Sequence, residues 1–97
     1  MRSELNPDFI KLFQELPERV KRTARKNYKL WKEKPTHLSL EFKEVNQKDH
    51  IWSIRVGIGW RALGKIKNKD TVIWFWIGSH GEYDKLLKKN VSEESYC

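Results

Sequence analysis

Hydrophobic positions along the chain change their period once, near residue 38. Before that point they recur at helical spacing. Asn6-Pro7-Asp8 reads as a helix start, because an Asn side chain caps free amide groups and Pro at the first helical position gives up no needed donor. Phe9, Leu12, Phe13 and Leu16 follow as one apolar face. Pro17 interrupts this helix and opens a second, predicted from about Glu18 to Lys34 and ended by Pro35. On the second helix Val20, Ala24, Asn27, Tyr28 and Trp31 share one stripe, and Arg22, Arg25, Lys26, Lys29 and Lys32 cluster opposite. The two segments read as a helical hairpin.

From Leu38 the period becomes two. Leu38, Leu40 and Phe42 alternate with Ser39, Glu41 and Lys43. Trp52, Ile54 and Val56 alternate with Ser53 and Arg55, and Trp60, Ala62 and Gly64 with Arg61, Leu63 and Lys65. These are three candidate strands. Gly57-Ile58-Gly59 and Asn68-Lys69-Asp70 supply hairpin loops, the second leading into Thr71 to Gly78, apolar on both faces and so expected inside the sheet. A last helix from about Glu82 to Lys89 turns Tyr83, Leu86 and Leu87 inward. Residues 1–5 are a candidate edge strand and residues 91–97 a flexible tail. The expectation is one α+β domain over residues 1–90: an N-terminal helical hairpin on a small antiparallel sheet of about four strands, with a short C-terminal helix.

Charge sharpens this outline. The 97 residues include 20 Lys and Arg against 13 Asp and Glu, a formal net charge of +7. Such a surface attracts polyphosphate over long range and gains affinity by releasing counterions, so nucleic acid or an acidic protein segment is the expected partner. The basic side of the second helix is equally consistent with an ordinary solvated face. No run of about 18 apolar residues exists and residues 1–20 lack a signal-peptide core, so no membrane role and a cytoplasmic location are expected. The single cysteine, Cys97, builds neither a disulfide nor a Cys-based zinc site within one chain. His37, His50 and His80 lack the spacing of a helical metal pair, so neither metal nor cofactor is expected. Gly57-Ile58-Gly59 lacks the rest of a nucleotide loop. Ser79-His80 adjacency is no triad, because neighbours on a strand point to opposite faces. Trp52, Trp60, Trp74 and Trp76 share the parity of core-facing neighbours, which assigns them to the interior rather than to base stacking.

Two constellations carry candidate chemistry. With a three-residue loop at Gly57-Ile58-Gly59, Val56 opposes Trp60 and Arg55 opposes Arg61, so two guanidiniums share one face and suit a phosphate. The alternative is that one arginine pairs with Glu41, Glu44 or Asp49 and the other is solvated. His80 emerges where the most buried strand ends, a rigid yet wet place for a group that donates a proton, with Tyr83 three residues on at a helix start. The alternative is a turn-capping histidine with Tyr83 merely packing.

Taken together, Trp52-Ser53-Ile54-Arg55-Val56-Gly57, Gly59-Trp60-Arg61-Ala62-Leu63 and a closing strand ending in Ile77-Gly78-Ser79-His80 before Tyr83-Asp84 resemble the RelE/ParE superfamily of bacterial type II toxin-antitoxin toxins. The resemblance covers nearly the whole chain. It implies a toxin held inactive by a cognate antitoxin. RelE-like members cut mRNA on the ribosome without a metal, whereas ParE-like members inhibit DNA gyrase; a non-toxic RNA-binding module of the same fold is a third possibility. Carried over by position, the resemblance makes Arg61 the cation at the scissile phosphate, with His80 and Tyr83 beside it as catalytic groups and Lys43 and Arg55 as substrate-binding groups. The glutamate that some relatives use as base falls on Leu40 by simple register, with Glu41 and Glu44 nearby as candidate bases and Lys43, or Tyr83 with Glu82, as substitutes.

Overall fold

The computed structural model of the chain describes residues 2–95, with side chains as far as Leu87. Strand β1, Arg2–Leu5, leads into helix α1, Pro7–Gln14, and helix α2, Glu18–Glu33. Asn6 caps α1 as its residue type dictates: its Oδ1 accepts from the Phe9 N–H at 2.8 Å. Val20, Ala24 and Trp31 are the buried positions of α2, three members of the stripe read from the sequence. The lysines and arginines opposite them are exposed, including Arg22, Arg25, Lys26, Lys29 and Lys32.

The segment after α2 departs from the alternating pattern. Leu38–Leu40 is a 3-10 turn, and β2 starts only at Lys43, running to Asn46. The cause is local. The His37 imidazole accepts from the Ser39 N–H at 3.2 Å and lies 2.9 Å from the Ser39 hydroxyl, a side-chain cap that competes with strand pairing. Leu40 plugs the core at 0% exposure, whereas Leu38 stands 91% exposed, so the two are not equivalent positions on one strand face. Glu41 closes the turn in the left-handed region at φ 44°.

Strands β3, Ile51–Val56, β4, Trp60–Lys67, and β5, Thr71–Ser79, form the expected meander. Gly57 and Gly59 take φ values of 59° and 87° in the tip between β3 and β4, a conformation open to glycine at little cost. A Cβ on Gly57 would also meet the Thr23 methyl at 2.8 Å. The five strands lie in the order β1-β5-β4-β3-β2. The sheet is therefore larger than four strands and mixed, because β1 pairs with β5 in parallel. Backbone bonds from Arg2 N–H to the Asp70 carbonyl at 2.9 Å and from Asn6 N–H to the Trp74 carbonyl at 3.0 Å fasten that edge.

Register then sorts side chains to two faces. Trp52, Ile54 and Val56 on β3 lie opposite Gly64, Ala62 and Trp60 on β4 and face the helical hairpin. Trp31 anchors this layer, edge-on to Trp74 at 5.3 Å and to Phe42 at 5.7 Å between ring centroids. Each such pair adds about 0.5–1.5 kcal/mol beyond area burial. A cleft of about 430 Å³ opens on this side, lined by Phe9, Phe13, Tyr28, Val56, Trp74 and Ile77 among others. On β5 the register steps from Trp74↔Gly64 to Trp76↔Leu63, so Phe75 is an extra, bulged residue. Parity flips there. Trp76 consequently points to the face opposite the hairpin, which corrects its assignment to the same layer as Trp74.

Helix α3, His80–Ser95, packs on part of that second face, where Tyr83 lies over Arg61. It starts two residues before the expected Glu82 and runs past the expected end at Lys89, through part of the segment read as a tail; Tyr96 and Cys97 lie outside the described residues. Tyr83 is buried and Leu86 and Leu87 are half-buried, in keeping with their inward assignment. Among the described residues no helix is long and apolar enough to cross a membrane.

Candidate functional site

Ser79-His80-Gly81-Glu82 fixes where α3 begins. The Ser79 hydroxyl accepts from the Glu82 N–H at 3.2 Å, while the Glu82 carboxylate accepts from the Ser79 N–H at 3.2 Å and the Ser79 hydroxyl at 2.9 Å. This is a reciprocal capping box, legible in the Ser-x-x-Glu spacing though not read from it above. The His80 N–H donates to the Gly59 carbonyl at 2.8 Å, which ties the strand end to the β3–β4 hairpin. An aromatic strand thus passes into a charged helix at a pinned joint, and the imidazole rides on it.

The hairpin presents its arginines as the three-residue loop predicts. Arg55 lies directly opposite Arg61, and Val56 opposite Trp60. Their environments differ sharply. Arg61 is 6% exposed: its Nε donates to the Ser53 hydroxyl at 2.9 Å, its Nη2 to the Glu41 carbonyl at 3.4 Å, and its guanidinium carbon sits 5.0 Å from the centre of the Tyr83 ring. Arg55 keeps 42% of its side chain exposed and donates from Nε to the Gly57 carbonyl at 3.1 Å. The Glu41 carboxylate stands between them, 3.4 Å from Arg55 Nη1 and 3.8 Å from Arg61 Nη1. The alternative of one solvated arginine is not what is found; a single carboxylate serves both.

His80 joins the same group through Tyr83. The two rings lie 6.0 Å apart, so the buried phenol ring touches the guanidinium of Arg61 on one side and the imidazole on another. The imidazole is 57% exposed and its Nδ1 lies 3.1 Å from Asp84 Oδ2. Tyr83, expected as a catalytic group, is 5% exposed and acts geometrically as the floor between the guanidinium and the imidazole. Lys43 is exposed and lies opposite Ser53 on β3, on the arginine side of the sheet.

The three candidate carboxylates part company. Glu41 faces both arginines. Glu44 pairs in register with Trp52, on the hairpin side of the sheet, and approaches His50 at 4.0 Å. Glu82 is committed to capping α3. Leu40, where the relatives' glutamate falls by simple register, is fully buried. Two further groups escaped the sequence reading: Ser53, a buried hydroxyl whose only signal was strand parity, and Asp84, recognisable from its four-residue spacing to His80. Among the described residues no cluster of His, Cys, Asp or Glu gathers as a metal site.

Residues 18–85 match the family model described as a ParE-like toxin domain. No curated protein matches the sequence. Several solved structures do match in fold. A chain of the archaeal RelE-RelB complex from Pyrococcus horikoshii OT3 superposes with a TM-score of 0.65 at 15% identity, over 82% of this chain and 94% of that one. A chain of the RelB-RelE antitoxin-toxin complex from Methanococcus jannaschii gives 0.66 at 17% identity, over 84% and 96%. YafQ from E. coli strain BL21(DE3) gives 0.66 at 15% identity, over 86% and 98%. At these identities the likeness is one of fold.

Proposed function

The chain belongs to the family of ParE-like toxin domains, and from that premise we propose that it is a toxin-antitoxin toxin that cleaves ribosome-bound mRNA without a metal. One observation carries the reading: Glu41, the half-exposed Arg55 and the exposed imidazole of His80 lie around one face, linked through Arg61 and Tyr83. A base, a cation and an acid are the three groups that RNA cleavage by its own 2′-hydroxyl requires.

In this mechanism Glu41 takes the proton of the 2′-hydroxyl, and the 2′-oxygen attacks the neighbouring phosphorus. Arg55 and Lys43 stabilise charge on the non-bridging oxygens. As the bond from phosphorus to the 5′-oxygen breaks, protonated His80 gives its proton to that oxygen, leaving a 2′,3′-cyclic phosphate and a 5′-hydroxyl. Arg61 changes role relative to the sequence expectation. Its burial keeps it from direct contact with a phosphate, so it acts as a positioning residue that holds Glu41 while Arg55 meets the substrate. The archaeal relatives are named as complexes of RelE with RelB, which supports a cognate antitoxin as this chain's neutralising partner, acting in the cytoplasm.

The burial of Arg61 also favours a second reading, in which the domain inhibits DNA gyrase and cuts nothing. Inducing the protein in cells and following both mRNA integrity and plasmid supercoiling separates the two. Cut mRNA with intact supercoiling supports the nuclease, and the reverse supports the gyrase inhibitor.

A further inference from the structure

We propose that Asp84 is a positioning residue for His80, fixing the imidazole so that Nε2 faces the departing 5′-oxygen. The inference rests on the RNA-cleaving reading for its purpose, though not for its geometry. Asp84 Oδ2 lies 3.1 Å from His80 Nδ1, an ion-pair contact across one turn of α3. The backbone of His80 is pinned by its N–H bond to Gly59, and the helix start by the Ser79–Glu82 box, so the Cβ of His80 has little freedom. The imidazole lies beside the Tyr83 ring, 6.0 Å between centroids and tilted by 54°. With Nδ1 set against a carboxylate, the second nitrogen is the one left to reach a substrate.

The chemical consequence is specific. A free neutral imidazole in water favours the proton on Nε2, the wrong tautomer for a ring that has just delivered its Nε2 proton. A carboxylate on Nδ1 keeps the remaining proton there, so that delivery from Nε2 leaves the imidazole in the form its surroundings already favour. No net atom is gained or lost: the Nε2 proton goes to the 5′-oxygen, and the other proton stays on Nδ1, facing the Asp84 carboxylate. An ordinary solvated pair at this helical spacing stabilises a helix slightly and leaves the tautomer alone.

The test reads the tautomer first. In ¹⁵N-labelled protein, with the His80 signals assigned by their loss in His80→Gln, the neutral ring should carry its proton on Nδ1. Asp84→Ala should convert it to the Nε2–H form, while Asp84→Asn, which keeps an accepting oxygen, should preserve Nδ1–H. A wild-type ring in the Nε2–H form, or an Asp84→Ala ring unchanged, overturns the proposal. Kinetics follow on a ribosome-bound message: Asp84→Ala should lower kcat by up to roughly 100-fold, within what a positioned general acid contributes, with little change in KM, and cost nothing further in a His80→Ala background. Equal losses in both backgrounds would mean that Asp84 does not act through His80. If the wild type cuts no RNA, the nuclease reading falls while the tautomer result still decides the role of Asp84.

Discussion

Arg55 and Arg61 face each other across the β3–β4 ladder, yet one guanidinium is half-exposed and the other almost wholly covered. Two like charges directly opposite in a sheet destabilise it by a few tenths of a kcal/mol. Glu41 offsets this from a left-handed turn outside the sheet. The turn that upset the expected strand at Leu38 is what brings the carboxylate to the pair.

Glu41→Gln therefore separates chemistry from structure. Its side chain is 45% exposed, so the ion pairs it makes are screened, and stability should change by less than about 1 kcal/mol in thermal melts. RNA cleavage should fall by about 10²- to 10⁴-fold, the usual contribution of a general base.

Arg61→Ala should behave in the opposite sense. Removing the guanidinium leaves the fully buried Ser53 hydroxyl without the partner it has at 2.9 Å and opens space beneath Tyr83. The expected cost is about 1–3 kcal/mol in urea unfolding. Loss of toxicity in this variant alone would report on folding; an unchanged unfolding midpoint would contradict the buried role.

Arg55→Ala should leave the unfolding midpoint nearly in place and weaken binding to single-stranded RNA. If its charge meets phosphate, the slope of log K against log salt should fall by about 0.7. An unaltered slope would remove Arg55 from the interface.

Ser79→Ala tests the joint. Loss of the cap should cost about 1 kcal/mol and speed amide exchange across residues 80–83. Because His80 and Tyr83 both ride on that turn, cleavage should fall more than stability alone explains. Glu82→Gln, which retains an accepting side-chain oxygen, should be milder.

On the far side of the sheet, Gly64→Ala should destabilise without touching the site. A Cβ there would lie 2.4 Å from a Val72 methyl and 2.8 Å from the Trp74 ring, an overpacking that costs about 1–3 kcal/mol. Thermal melts would register it, whereas RNA affinity measured well below the melting temperature should hold.

Much of this layout could be read from residue order. The stripe on α2, the three-residue hairpin loop and the opposition of Arg55 to Arg61 all follow from periodicity, because a half-buried strand forces parity on its side chains. Parity failed where the backbone left the regular ladder. The bulge at Phe75 turned Trp76 away from Trp74 with no residue type to announce it, and the His37 cap turned Leu38–Leu40 into a 3-10 turn despite its alternating pattern. Strand β1 is short and polar, and backbone bonds to β5 rather than apolar side chains hold it. The burial of Arg61 was hidden for a different reason: it depends on where α3 lays Tyr83, a contact between elements that no local pattern encodes.

The most direct test of the RNA-cleaving account is primer extension on a message paused in a purified translation system, with wild type, Glu41→Gln and His80→Ala, and gyrase supercoiling measured in parallel. Discrete cuts ending in 2′,3′-cyclic phosphate with wild type, absent from both variants while supercoiling is untouched, are the predicted result. Intact message with lost supercoiling, or cuts that persist in both variants, would contradict it.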